Sequence, residues 1–547
     1  RVEDHSHVLV MNTASTPQPD AAPVKPTTSM RRPVLRRLLQ ALLCLGICII
    51  TLIALFDTVM NWRGKRAWAA YQKTMDAKGE VLDYRRLVPP PVPDDQNFAM
   101  TPSLAVLVDF HPGTQTLRDT NAVQAIERAF NKLPADLRRG GDWRKGERTD
   151  LALWVAAFNE ASDRAAGKGT GESQPPPTLD RSQAATALLA QLEGYNPILD
   201  ELRAASHRPY SRFNLCYDCE NPAAILLPHL AKLRHAARIL SLRASVHIAL
   251  GRAEAALDDI LLALHLVDSI RNEPTLISHL VRCAILRSAM QPIWEGFADR
   301  QWSETHIEAL NQRLGKFDFL ADDLNAMRAE RAFGNAIIAY MREKPRMAWQ
   351  LGSSEPVSEN GIESLLDTLI PRGWFYLEQV SYNRLFEERV LPGIDLGARR
   401  ADVEAMRRNE AVVAESASRG FVANMTSFRL LSNMLLPALG RAHQRFVYTQ
   451  SMIDQTRIAC ALERHRLATG ELPPSLADLA PRFLDKLPHD IISGQPLKYS
   501  RIDPHGFRVY SVGWNATDDG GEVALDHKGK SNETVDTIRG DWVWLCP

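Results

Sequence analysis

The pattern of apolar and polar positions divides the chain into three textures. Residues 38–56 read LLQALLCLGICIITLIALF, with Gln40 and Thr51 as the polar interruptions and no charge. A run of about 19 residues that is apolar on every face has the length of a bilayer-spanning helix, whereas a core helix of a soluble protein keeps a polar stripe. From about residue 101 to 440 apolar positions recur at helical spacing, broken by Gly140-Gly141 and by the polar stretch 167–177. Helices are expected at 276–294, 304–314, 320–342, 362–390 and 403–416, the fourth kinked or split near Pro371-Arg372-Gly373. After residue 441 a long helix over 442–469 stops at Gly470, a residue suited to a C-cap. Period-two runs follow at 497–500 and 507–512, joined by Asp503-Pro504-His505-Gly506 as in a hairpin, and 522–525 and 542–545 add strand-like runs.

These elements predict a mainly α fold with a single N-terminal transmembrane helix, a multi-helix body and a C-terminal α+β module, one long helix on a small antiparallel sheet. Residues 1–37 read as a disordered cytoplasmic tail, 38–60 as the anchor, 61–100 as a stalk and proline-rich strap, 101–440 as the helical domain and 441–547 as the terminal module. The stalk helix is expected over 62–84, and Val88-Pro89-Pro90-Pro91-Val92-Pro93 as an extended spacer between membrane and body. Ala244, His247, Ala256, Ile260 and Ala263 fall where a tetratricopeptide repeat sets its packing residues, with Leu250-Gly251-Arg252 at the turn. A single copy points to an antiparallel helix pair inside a bundle, with a repeat-like peptide-binding surface as the alternative.

Arg31, Arg32, Arg36 and Arg37 precede the apolar run, and Arg63, Lys65, Arg66 and Lys73 follow it, so the basic flanks leave orientation nearly balanced. The run is followed by Asp57-Thr58-Val59-Met60 rather than by small residues, so it is expected to stay uncleaved. The whole chain carries 65 basic and 65 acidic residues. That balance removes the electrostatic ground for a nucleic-acid partner.

Candidate chemistry is sparse. Cys216 and Cys219 are separated by two residues, Tyr217 and Asp218, just before a helix expected near Pro222. In an oxidising compartment a local disulfide or a pair of buried thiols is the first expectation. Zinc would need two more ligands, and a redox pair would need a βαβ surround. His247, His265 and His279 lie among apolar helix positions and read as core groups. Asp258-Asp259 and Asp322-Asp323 read as solvated faces or caps, and Trp374, Phe375 and Tyr376 as core aromatics. No metalloprotease, nucleophile-elbow or phosphate-loop motif is present.

One region resembles a known family. Gly470-x-x-Pro473, Leu487-Pro488-x-Asp490, Gly494-x-Pro496-x-x-Tyr499, Tyr510-Ser511-x-Gly513 and Asp518-Asp519-Gly520-Gly521 follow a long helix in that order. The run 461–521 is similar to the globular part of the major, G-type pseudopilins of type II secretion. In those proteins the acidic glycine loop holds calcium. The resemblance therefore implies a calcium site at Asn515, Asp518 and Asp519, with Asp541 closing it. Two features depart from the family: the insertion 526–539, and the separation of the apolar helix from the module's helix, which speaks against polymerisation. The wider chain also resembles a family of uncharacterised membrane-anchored bacterial proteins. Together these readings predict a single-pass protein of the bacterial inner membrane with a periplasmic body. Its expected role is a non-enzymatic scaffold or protein-interaction module linked to secretion or surface assembly. The alternative is a hydrolase-type enzyme with its site in the helical domain.

Overall fold

The computed structural model describes residues 31–130, 141–165, 178–344, 370–436, 439–526 and 534–547. The tail 1–30 and the expected helix segment 362–369 lie outside the described residues. The chain divides into two units, one ending at Val59 and one running Met60–Pro547.

Helix α1, Arg31–Ala77, begins in the first unit and carries the apolar run there with its side chains exposed, Leu42 and Ile50 among them. In the second unit the same helix becomes one-sided. Gly64, Tyr71 and Met75 are buried, at spacings near multiples of a helical turn. The helix ends at Ala77, earlier than the expected 84, and Tyr84–Leu87 forms a separate 3-10 turn. The proline segment is not a free spacer. Tyr84 and Phe98 are fully buried, the Tyr84 hydroxyl donates to Tyr217 O at 2.5 Å, and Arg212 Nε donates to Pro89 O at 2.9 Å. The strap is thus sewn onto the body by its flanking aromatics.

The body's next helices are α2 (Thr120–Phe130), α3 (Leu151–Ala165), α4 (Arg181–Leu192) and α5 (Asn196–Ala205). Its centre is α6 (Pro228–Ala249), α7 (Ala253–Ser269) and α8 (Leu276–Ala298), each packed on the other two. Ala236, Ala237, Ala244, Ala256, Ala263 and Ala289 are buried at their seams, where small side chains let backbones approach closely. The α6–α7 pair turns at Gly251, whose φ of 70° is left-handed. Helices α9 (Glu304–Leu314) and α10 (Phe319–Glu343) follow, α9 starting at a Ser303 capping box.

Helix α11, Arg372–Leu385, starts just after Pro371 and runs on into a π-turn at Phe386–Val390. Trp374 and Phe375 are buried, as expected of core aromatics, and Tyr376 lies under the Arg342 guanidinium at 4.3 Å. A Cβ on Gly373 would lie 2.1 Å from the Met60 carbonyl oxygen, so only glycine permits this crossing of α1 and α11. A short bridge pairs β1 (Ile394–Asp395) with β2 (Arg400–Ala401) before α12 (Val403–Ser418), α13 (Phe421–Thr426) and α14 (Leu430–Leu435).

Helix α15, Leu439–Thr469, ends at Gly470 with φ 90°. Strands β3 (Lys498–Arg501), β4 (Phe507–Ser511) and β7 (Trp542–Cys546) form an antiparallel sheet in the order β3-β4-β7. A separate hairpin pairs β5 (Val523–Asp526) with β6 (Thr534–Gly540), so part of the 526–539 insertion is strand. Buried Asp490 ties the turn motifs to the sheet. It accepts from Ser511 Oγ at 2.7 Å, Ser493 Oγ at 2.9 Å, Ile492 N at 3.0 Å and Val512 N at 3.3 Å. Tyr499 likewise donates to Pro473 O at 2.9 Å.

The sheet is continuous with the helical core. Trp544 is fully buried with its ring 5.0 Å from Trp143, and Trp294 Nε1 donates to Leu545 O at 2.5 Å. One hydrophobic cluster runs from Tyr84 to Cys546.

Candidate anion-binding pocket

Three helices present matching polar stripes to one concavity. On α6, Arg238, Ser241, Leu242 and Ser245 lie at i, i+3, i+4 and i+7, hence on one face. On α8, Ala284, Arg287, Ser288 and Gln291 repeat that spacing, and α15 contributes Tyr448 and Met452. A turn at 141–149 closes the fourth side with Trp143 and Arg144, leaving a pocket of about 390 Å³.

The turn is clamped from below. Gln291 Oε1 accepts from Trp143 N at 2.8 Å, and its amide donates to Glu295 Oε1 at 2.9 Å. Fully buried Glu295 also accepts from Thr149 N at 2.9 Å and Thr149 Oγ1 at 2.5 Å, and pairs with Arg181 at 2.7 Å. These bonds place the Arg144 guanidinium. It donates to both oxygens of Asp142, at 2.8 and 2.7 Å, with Tyr448 beside it in the pocket lining. Burial opposes its charge, but Tyr448 and Asp142 together raise its pKa.

The other two cations are different. Neither Arg238 nor Arg287 has a hydrogen-bond or ion-pair partner among the described residues. Burial pushes the pKa of Arg238 down, with Arg234 adding repulsion. Burial does the same to Arg287, reinforced by Arg445 and Arg144 against the opposing pull of Cys283 and Tyr448. A guanidinium stays protonated through such shifts, so both remain charged and undercompensated. The one carboxylate among the lining residues, Asp142, is taken up by Arg144. With Arg238 half-buried and Arg287 exposed, the site concentrates positive potential in a concave space open to solvent, where guanidinium donors can meet an anion. Ser241 Oγ donates to Ala237 O at 2.7 Å and Ser288 Oγ to Ile285 O at 2.7 Å. Their hydroxyls are thus held by their own helices, and no imidazole is among the lining residues.

Other concavities carry mixed charge. One of about 560 Å³ beside β1 and β2 is lined by Asp395, Asp402, Glu404 and Arg400, with Asp395 accepting from Ala398 N and Asp402 capping α12.

The acidic loop does bring its predicted residues together. Asn515 Nδ2 donates to Asp519 Oδ2 at 2.7 Å, and Asp541 accepts from Gly521 N at 2.6 Å and Asp519 N at 3.3 Å. Asp518 accepts from Tyr510 and pairs with Lys498 at 3.3 Å. Each carboxylate is engaged by a local donor, and among the described residues no group of three or more His, Cys, Asp or Glu side chains is arranged to hold a metal ion.

Cys216 and Cys219 are free thiols. The helix expected at Pro222 is a three-residue 3-10 turn, and α6 starts at Pro228, so no helix dipole acts on the pair. Burial and the Cys216 hydrogen bond instead push the Cys219 thiol up to about 12. The carboxylate pairs are also not the solvated faces expected. Asp258 is exposed, but Asp259, Asp322 and Asp323 are buried and paired with Arg243, Arg282 and His443 respectively. His265 and His279 are core groups, held down to about 4 and about 3 by burial.

The cationic pocket is what sequence reasoning missed. Its signal was present as polar stripes on helices otherwise apolar on most faces. Comparison of the chain with protein-family models, with curated proteins and with solved structures finds no match.

Proposed function

We propose that this chain is a membrane-tethered, non-enzymatic binding protein of the bacterial cell envelope whose helical body takes a small anionic ligand, of the carboxylate or phosphate type, into the Arg238–Arg287 pocket. The observation that carries the reading is the pair of uncompensated guanidiniums on facing helices, backed by a third that is fixed by Asp142. Arg238 is half-buried and Arg287 exposed, so what a ligand would relieve is the mutual repulsion of like charges gathered at one concavity, by supplying the counter-charge the lining lacks. The lining offers donors and no free base, which fits binding better than hydrolysis.

The apolar run of α1 supports a single-pass anchor. The likeness of 461–521 to pseudopilins supports a periplasmic body at the inner membrane and a role beside secretion or surface-assembly components, with protein partners in the envelope. Burial of Trp544 against the helical body favours the sheet as a structural wall of that body.

Isothermal titration of the full chain in detergent with inorganic phosphate, phosphate monoesters and dicarboxylates tests the proposal. We expect at least one anion to bind, with affinity falling as salt rises. Arg238→Leu or Arg287→Leu should weaken it about tenfold or more, the scale of one charged hydrogen bond. The same substitutions should leave the melting temperature of the ligand-free protein unchanged or slightly raised, since each removes one of three like charges gathered at the pocket. Equal anion affinity in wild type and both variants would sink the reading.

A further inference from the structure

The cationic pocket is the closed end of a longer groove. Helix α8 packs on both α6 and α15. Along it the residues that are not buried recur at i, i+3 and i+4 from Ile277 to Gln291, and the rest of the helix up to Phe297 is buried. They form one stripe about 21 Å long, at a helical rise of about 1.5 Å per residue. Its high-numbered half, Ala284 to Gln291, lines the pocket. Its low-numbered half is apolar, with Leu280 and Val281 partly buried and Ile277 59% exposed.

The flanking helices run parallel to α8 and carry the charge. Reversals on either side of α7 bring α6 back into the direction of α8, and the Ser241 and Ser288 hydroxyls meet at 3.4 Å. On α15 the Phe446 ring lies 6.4 Å from that of His279, and Thr456 Oγ1 donates to Met290 Sδ at 3.5 Å. Away from the pocket, the lining stripe of α6 continues to Arg234, one turn before Arg238. That of α15 continues to Arg445 and Arg441, three and seven residues before Tyr448. These three arginines are exposed, and none has a side-chain hydrogen bond or ion pair among the described residues. Arg234 repels Arg238 and Arg445 repels Arg287, so the outer and inner cations share one field. From the level of Arg441, five residues before Phe446, to Arg287, eight beyond His279, the row spans about 20 Å.

We propose that this groove binds an acidic polypeptide segment, with its carboxylates on the arginine rows, its apolar side chains on Ile277, Leu280 and Val281, and one carboxylate in the Arg238–Arg287 pocket. The proposal rests on the reading of that pocket as an anion site and names the partner that carries the anion. Charge complementarity selects the sign, since the rows hold arginines without counter-charges. Length selects a chain over a compact anion, because about 20 Å matches about six residues of extended backbone at about 3.3 Å each. The floor selects a polypeptide over a polyphosphate or uronate chain. Covering Ile277, Leu280 and Val281 is favourable only for a partner that brings apolar side chains of its own. Contacts along the rows and the floor would add to the single contact in the pocket.

Fluorescence anisotropy of the full chain in detergent, with a dye-labelled octapeptide of alternating glutamate and valine, tests this beside calorimetry with inorganic phosphate and succinate. A peptide with serine in place of valine and a linear polyphosphate of equal charge are the controls. The valine peptide should bind about tenfold or more tighter than either small anion, and several-fold tighter than both controls. Arg441→Gln combined with Arg445→Gln should weaken it about three- to tenfold, the scale of two exposed ion pairs, and weaken the small anions less. Arg287→Leu should weaken peptide and small anions alike. Small anions bound with the peptide no tighter, or a peptide indifferent to the Arg441 and Arg445 substitutions, overturns the groove and leaves the pocket standing. Polyphosphate or the serine peptide binding as tightly as the valine peptide overturns the polypeptide occupant. Peptide binding untouched by Arg287→Leu, with neither small anion bound, overturns the pocket reading and this proposal with it.

Discussion

Asp454 shows how far burial alone can shift the chemistry of a single side chain. It lies on α15 beside a pocket of about 290 Å³, accepting from Gln450 Nε2 at 3.0 Å, and burial pushes its carboxyl up to about 7. A folded pKa above the unfolded value of about 3.8 means that the native state holds its proton more tightly. That contribution is fully present below about pH 4 and is lost as pH rises through about 7. Asp454→Asn removes the titration while keeping an acceptor for Gln450. Relative to wild type, the variant should therefore gain stability as pH rises from 4 to 8, by a few kcal/mol on a scale of about 1.4 kcal/mol per pKa unit. Urea melts of both proteins at the two pH values read this directly, and a constant difference between them would refute the assignment. The pocket arginines were legible only in part. Arg238 and Arg287 are visible as polar breaks in apolar helices, but a charge on a predicted helix is read as surface by default. What turns them into a site is Trp143 and Arg144, brought over from a turn distant in sequence by Gln291 and Glu295.

Elements were read best where local chemistry sets their ends. The Ser303 capping box and Gly470 lie at the boundaries expected from sequence, because cap hydrogen bonds and a left-handed φ are decided within a few residues. The helix at Pro222 and the stalk to 84 were misread because helical composition alone does not say where packing stops a helix. The turn motifs after α15 have a common physical basis in Asp490, whose carboxylate holds the 487–495 turn against the end of β4. Asp490→Ala would leave two backbone amides and two hydroxyls without their acceptor. A loss of roughly 2–5 kcal/mol is expected, the sum of one to two buried unsatisfied groups after partial relaxation. Hydrogen exchange should show that loss first at Val512 and along β3 and β4. A variant with native protection at those strands would show that Asp490 is dispensable to the sheet.

At the scale of the whole molecule, the sequence separates a helical body from a terminal module, while packing joins them. A change of texture near residue 441 reports a change of secondary structure, and it carries no information about which faces meet. Trp542 and Trp544 share one face of β7. Trp542 stacks edge-on against Tyr448 of α15 at 5.0 Å, and Trp544 lies between Trp143 and Phe297. The sheet thereby supports the same Trp143 turn that closes the cationic pocket, with Gly146 of that turn packed on Leu545. If this seam is as integral as its burial implies, Met60–Pro547 should unfold in one transition followed equally by helical and tryptophan signals. Trp544→Ala should then cost about 3–5 kcal/mol, the range for an aromatic removed from a packed core. Its effect should reach beyond the sheet, with Trp143 and Gln291 amides losing exchange protection and anion affinity falling although no ligand-facing group has changed. Two resolved transitions, with the helical one unmoved by Trp544→Ala, would instead establish the terminal module as an independent domain.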